Sequence, residues 1–297
     1  LRRTGFASAK VNLFLHVDPV DADGYHPLVS LMVFADVGDR VSIAPADRFE
    51  LAVEGAFAGA LAGEVLSGNL IWRAALRLFD AAGLNPPPIR LTLDKALPVA
   101  AGLGGGSSDA GAALKLLREA FAPQVDDATL ERIAGELGAD GPVCLWARPA
   151  VGEGRGDTLS LAPSLPPLPA VLVNPRQACS TGQVYRTFDA LGAVGGADRP
   201  ALADHYATAA EAITALAPCR NDLERPALEV CPVIAEVLTA LRARPESRLA
   251  RLSGSGATCF ALCETVAEAQ ALAQALTESH PDWWVRPCQL GGPWPQA

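Results

Sequence analysis

"PVAAGLGGGSSDAGAAL", Pro98 to Leu114, holds Gly102, Gly104, Gly105 and Gly106, then two serines, then a run with helical spacing. Glycine in regular structure costs roughly 0.5–1 kcal/mol relative to alanine, so this density points to a backbone that must be bare. A Walker A loop would need GxxxxGK[ST], and no lysine follows these glycines. A dinucleotide fingerprint GxGxxG started at Gly102 ends on Ser107, and one started at Gly104 ends on Asp109. What remains is a loop of free amides opening on a helix N-terminus. There N–H groups converge and the helix dipole adds partial positive charge, which suits phosphate. Ser107 and Ser108 add hydroxyls for phosphate or Mg²⁺. The competing reading is a tight turn between packed elements; two serines and a helix directly behind the glycines favour phosphate.

The chain has 297 residues, half of them apolar and 19% charged, enough for a sizeable core and unlike a disordered sequence. A net charge of -9 argues against a nucleic-acid surface and an anionic membrane face. An anionic ligand must therefore be held by local groups. Seven cysteines, none in a CxxC pair, suggest reduced thiols, with neither a disulfide framework nor a metal cluster. The opening "LRRTGFASAKVNLFLHV" has basic residues before an apolar run, but Asn12 and His16 break that run and favour a buried strand over a leader. No stretch is long enough to span a bilayer, and a cytoplasmic location is expected. Of 24 basic residues only Lys10, Lys95 and Lys115 are lysine. Lysine kept in so arginine-rich a chain marks Lys10 and Lys95 as places where a compact ammonium is needed, while Lys115 reads as a solvated helix residue.

"KVNLFLHV", "DRVSIAP", "FELAV", "IRLTLDK" and "AVLVNP" read as strands. A helix begins near Leu70 and closes at Gly83. Ser107, Ser108 and Asp109 suit the start of the next helix, which Pro123 stops, and Asp126 or Asp127 starts another that ends at Gly138. The Gly- and Pro-rich passage "VGEGRGDTLSLAPSLPPLPA" places a domain boundary near residue 160. Helices are expected around "ADHYATAAEAITAL", "PVIAEVLTALRA" and "VAEAQALAQALTE", with a second glycine motif at "RLSGSGATCFAL". The pattern implies an α+β chain in two domains, 1–160 and 161–297.

Three segments in order, "SAKVNLFLHV", "PVAAGLGGGSSDAGAAL" and "LSGSGATCFAL", resemble the three motifs of the GHMP kinases. They reach from near the start to near the end of the chain. The resemblance implies a two-domain GHMP kinase fold, with an N-terminal ribosomal-S5-domain-2-like nucleotide domain and a C-terminal ferredoxin-like domain. "DADGYHPLVSL", "GADGPV", "CSTGQVY" and "RNDLE" are similar to the branch that phosphorylates 4-diphosphocytidyl-2-C-methyl-D-erythritol with ATP, in the non-mevalonate route to isoprenoid precursors. Two positions depart from that branch: Asp21, where a basic residue is frequent, and Gly141, where a branched residue is usual.

The resemblance assigns Asp140 as the carboxylate at the acceptor hydroxyl and Lys10 as the adjacent ammonium; the plainer readings are a turn residue and a surface strand residue. It assigns the nucleotide loop to Pro98, Val99, Ala100, Ala101, Gly102, Leu103, Gly104, Gly105, Gly106, Ser107 and Ser108, and by position alone adds Lys95 and Asn69 beside the adenosine. Tyr25, His26 and Tyr185 are matched to the cytosine, and Asn12 and Thr181 to the diphosphate or polyol. His16 reads as buried structure. Mg²⁺ is expected to arrive with ATP and not in a protein cage. The expected partner is a small molecule with a cytidine diphosphate moiety, bound by a monomer or weak homodimer. The alternatives are a homoserine- or mevalonate-type kinase and a non-catalytic nucleotide-binding regulator.

Overall fold

The computed structural model describes residues 2–192 and 196–294. Strands β1 (Arg3–Val17) and β2 (Leu28–Pro45) form a long antiparallel ribbon. Every residue of β1 from Ala7 to Val17 is buried, so the segment "KVNLFLHV" is a strand covered on both faces. An extra residue, Leu13, breaks the β1 register between Asn12 and Phe14, a bulge of the kind that re-aims side chains beside functional sites.

β3 (Glu50–Glu54) runs parallel to β4 (Ile89–Asp94), and β4 pairs with the C-terminal half of β2. Between them α1 (Leu70–Ala81) is capped by Asn69, whose Oδ1 accepts from Ile71 N at 2.9 Å. Helix α2 (Gly105–Phe121) buries Ala110, Ala113, Leu114 and Leu117 against this layer. It starts earlier than the serines suggest. Gly104 is its N-cap, left-handed at φ +61, and Ser107, Ser108 and Asp109 lie inside its first turns. α3 (Asp127–Leu137) is capped by Asp126, and α4 (Gly141–Trp146) follows at once. Lys115 is half-buried, not solvated, and burial pulls its pKa down.

The passage read as a boundary folds into a hairpin, β5 (Ala150–Gly154) and β6 (Thr158–Leu161), with β5 paired to the start of β2. Next come β7 (Leu168–Asn174), α5 (Thr181–Ala190), α6 (Ala209–Leu216), α7 (Glu224–Val230), α8 (Val233–Arg242), β8 (Leu249–Leu252), β9 (Cys259–Leu262), α9 (Val266–Ser279) and β10 (Trp284–Gly291). Their sheet runs β10-β7-β9-β8, all antiparallel, the ferredoxin-like order. We propose the division between the halves at the end of the hairpin, near 160, with β1 and β10 shared. Leu15 of β1 bridges to Asn221, and Leu290 and Gly291 of β10 pair with Ala35 and Phe34 of β2. The two sheets thus become one. All seven cysteines are buried and free, and no helix among the described residues is long and apolar enough to cross a membrane.

Gly141 has a packing reason. A Cβ there would collide with the Ala134 carbonyl of α3, so a bare residue lets α4 abut α3. Gly141→Val should overpack this joint by about 1–3 kcal/mol and lower the melting temperature by several degrees. An unchanged melt would show that the helices separate freely there.

Candidate active site

The glycine loop lines a cleft of about 710 Å³ between the halves. Residues Pro98 to Ser107 contribute to its wall, with Lys10, Asn12, Asn69, Lys95, Asp140, Thr181 and Tyr185. Ser108 lies beneath the wall, 2% exposed, and its Oγ has no hydrogen-bond partner among the described residues. Tyr25 and His26 are not on the wall.

The loop has an ionic floor. Lys95 Nζ lies 2.6 Å from Asp39 Oδ2 and 2.8 Å from Asp109 Oδ2, all three side chains buried. Asp39 Oδ1 also accepts from the amides of Ala96 and Leu97 at 2.6 and 2.8 Å. Burial alone would lower the Lys95 pKa, but the Asp109 and Asp39 carboxylates outweigh it and raise it. Burial, with the Asp39 charge, pushes Asp109 up to about 8 against the opposing pull of Lys95. A Cβ at Gly105 would sit 3.0 Å from Lys95 Nζ, so this glycine makes room for the ammonium below the loop.

Lys10 and Asn12 share a face of β1, two residues apart, and Lys10 Nζ donates to Asn12 Oδ1 at 2.9 Å. The same ammonium is 3.0 Å from Asp140 Oδ2; Lys10 is buried and the Asp140 side chain is 40% exposed. Asp140 occupies the N-cap of α4 but makes no capping bond with its side chain, which leaves the carboxylate facing the cleft. Lys10 N donates to Leu103 O at 2.8 Å, tying strand to loop.

The second glycine motif, between β8 and β9, buttresses the first. Ser253 Oγ donates to Gly102 O at 2.9 Å, and Thr258 N donates to Ala101 O at 3.1 Å. Thr181 and Ser255 share a hydroxyl contact of 2.8 Å. The buried Arg251 donates to the bulged Leu13 carbonyl at 2.5 Å, fixing β1 beside Asn12.

Behind Tyr185, which is on the cleft wall, packs His26, with ring centroids 4.9 Å apart and planes tilted by 31°. Burial, and then the Asp140 charge, pushes the Tyr185 phenol up to about 12, so it stays a hydrogen-bond donor. Tyr25 is half exposed, and the Arg155 guanidinium lies 3.5 Å from its ring centroid. His16 is structural: Arg220 N donates to its Nε2 at 3.3 Å, which leaves Nδ1 to donate to Asp198 O at 2.7 Å. Asp39, Ser253 and Arg155 escape the sequence reading. Asp39 carries no distinguishing signal, since Asp36 and Arg40 stand beside it, whereas Arg155 carries one as a cation between two glycines.

The family model for the GHMP kinases N terminal domain matches residues 69–148, and that for the GHMP kinases C terminal region matches 200–282. The chain belongs to the GHMP kinases. Over 294 residues, 99% of this GHMP kinase and all of the relative, it is 54% identical to the 4-diphosphocytidyl-2-C-methyl-D-erythritol kinase of Caulobacter sp. strain K31. It is 43% identical to the enzyme of that name from Bradyrhizobium diazoefficiens, over 93% of this chain and 94% of that one. A crystal structure of 4-(cytidine 5'-diphospho)-2C-methyl-D-erythritol kinase superposes with a TM-score of 0.78 at 36% identity, covering 98% of this chain and all of the other. An L. major mevalonate kinase structure, at 15% identity and a TM-score of 0.69 over 99% and 97% of the two chains, shares the fold.

The ionic floor makes a pH prediction. A raised acid pKa stabilises the fold fully only below the unfolded value, and that contribution is lost as pH rises from about 4 to about 8. Asp109→Asn removes the ionisation. Relative to the unsubstituted chain, its melting temperature should improve between pH 6 and pH 9. Parallel melting curves across that range would contradict the assignment.

Proposed function

We propose that the chain transfers the terminal phosphoryl group of ATP to a hydroxyl of 4-diphosphocytidyl-2-C-methyl-D-erythritol, giving its 2-phosphate, in the non-mevalonate route to isoprenoid precursors. The observation that carries this reading is the Lys10–Asp140 pair, 3.0 Å apart, opening on the cleft beside the glycine loop. The full-length relatives of that name support the acceptor.

Phosphoryl transfer needs positioning and charge stabilisation more than covalent help. Asp140 offers a half-exposed carboxylate to orient the acceptor hydroxyl and receive its proton. The Lys10 ammonium holds that carboxylate in place and offsets charge developing on the phosphoryl oxygens. Amides of the loop from Gly102 to Ser108 and the α2 dipole face the nucleotide phosphates, with Asn69 at the nucleoside end and Lys95 supporting the loop from below. Asn12 and Thr181 offer polar contacts to the acceptor's diphosphate or polyol, and Tyr185 with His26 and Tyr25 forms the aromatic end for cytosine. Ser107, the orphaned Ser108 hydroxyl and Asp140 are hard oxygen donors that would fit a Mg²⁺ arriving with ATP. Bound there, Mg²⁺ would neutralise phosphate charge. Seven buried free thiols fit a reducing, cytoplasmic setting; a monomer or weak homodimer is part of the same proposal.

ATP consumption measured with the cytidyl acceptor, homoserine and mevalonate tests the reading. Turnover of the first alone is expected; turnover of either other compound in its place overturns it. Asp140→Asn and Lys10→Ala should each lower kcat by about 10²–10⁴, with calorimetric ATP affinity largely kept. Near-normal turnover in Asp140→Asn would remove it from the chemistry. Tyr185→Ala should raise KM for the acceptor by the equivalent of about 1–3 kcal/mol and spare KM for ATP. Equal damage to both would make Tyr185 a packing residue.

A further inference from the structure

Three cationic side chains line the cleft among the described residues: Lys10, Lys95 and Arg155. Two are already engaged, Lys10 by Asp140 and Lys95 by Asp39 and Asp109. Arg155 is not. Among the described residues the carboxylate within reach is that of Asp23, at 3.9 Å, and both side chains are exposed. An exposed pair at that distance is worth little and is easily exchanged for a better anion.

The backbone aims Arg155 at the acceptor end. It sits at the tip of the β5–β6 hairpin between Gly154 and Gly156, at φ +67 and +88, and its amide donates to Asp157 Oδ1 at 3.2 Å. Gly154 pairs with Leu28, the first residue of β2 after the 18–27 loop, so the hairpin tip stands directly beside that loop. The guanidinium carbon lies over the Tyr25 ring, 3.5 Å from its centroid. Stacking occupies the face of the guanidinium and leaves its N–H edge free.

The 18–26 loop itself has no positive charge to offer apart from its histidine. Asp21 Oδ1 accepts from the amides of Asp23 and Tyr25, both at 3.0 Å, so the acid at position 21 shapes the loop instead of gripping a ligand. Asp18 and Asp23 add further negative charge in a chain of net charge -9. A doubly charged diphosphate diester entering here needs a cation from another element, and a bidentate guanidinium edge matches phosphate oxygens.

We propose that Arg155 binds the diphosphate of the cytidyl acceptor, its edge on the phosphate oxygens and its face on Tyr25. This rests on the function proposed above. The test compares the unsubstituted chain, Arg155→Gln and Arg155→Lys by KM for 4-diphosphocytidyl-2-C-methyl-D-erythritol, KM for ATP, and inhibition by CDP and by cytidine. Arg155→Gln should raise the acceptor KM by about tenfold or more, the scale of a hydrogen bond to a charged group, and leave KM for ATP in place. It should weaken CDP inhibition and spare cytidine inhibition, and Arg155→Lys should recover part of the loss. Equal weakening of CDP and cytidine would mean that Arg155 only supports Tyr25, and an unchanged acceptor KM would also overturn the proposal. If the unsubstituted chain neither turns over the acceptor nor binds CDP, the functional reading fails first and takes this inference with it.

Discussion

The glycine loop lies directly on two lysine side chains and one leucine, and that close seating sets most of the site. A Cβ at Gly104 would lie 3.1 Å from Lys10 Cβ and 3.2 Å from Lys10 Cε; at Gly105 it would meet Lys95 Nζ, and at Gly106 Leu70 Cδ1 at 3.2 Å. The bare backbone therefore serves two surfaces. Its upper side lines the cleft, and its lower side lets the chain descend onto Lys10 and Lys95. An unpaired ammonium under such a loop would be costly, since burying a charge without its partner typically destabilises by several kcal/mol. Asp39 and Asp109 remove that cost for Lys95, and Asp140 and Asn12 do so for Lys10.

This arrangement also explains why the cleft lies between the halves. The loop is held from the first half by the ionic floor and from the second by Ser253 and Thr258. β10 closes the join by pairing with both β2 and β7. The acceptor end likewise combines His26, from the loop before β2, with Tyr185 of α5. The cleft wall takes Lys10, Asn12 and Asp140 from the first half and Thr181, Tyr185 and Ser255 from the second.

Much of this was legible in the sequence because its physics is local. Apolar runs and turn residues mark most strands and helices, and the rarity of lysine singled out Lys10 and Lys95. What stayed hidden depends on long-range packing. "GPVCLW" is too short to read as a helix, yet α4 carries Asp140 to Lys10. The hairpin at 150–161 looks like linker because glycines dominate it, and only its pairing with β2 reveals a strand and the aim of Arg155. Lys95 was placed at the adenosine from position alone. It does line the cleft, but its ammonium is engaged by Asp39, and no pattern in the sequence connects residue 39 to residue 95. The sequence marks Gly105 as bare for phosphate but gives no sign that a Cβ there would lie 3.0 Å from Lys95 Nζ.

The central claim is that the nucleotide loop and the Lys10 ammonium form one mechanical unit through Gly104. Gly104→Ala tests it most directly, because a single methyl group would press on Lys10 and force alanine into the left-handed region. Steady-state turnover, calorimetric ATP titration and a thermal melt of the same variant give the answer. The account predicts that kcat and ATP affinity fall together, each by about tenfold or more, in a protein that still unfolds cooperatively. A variant that turns over and binds ATP like the unsubstituted chain would contradict it.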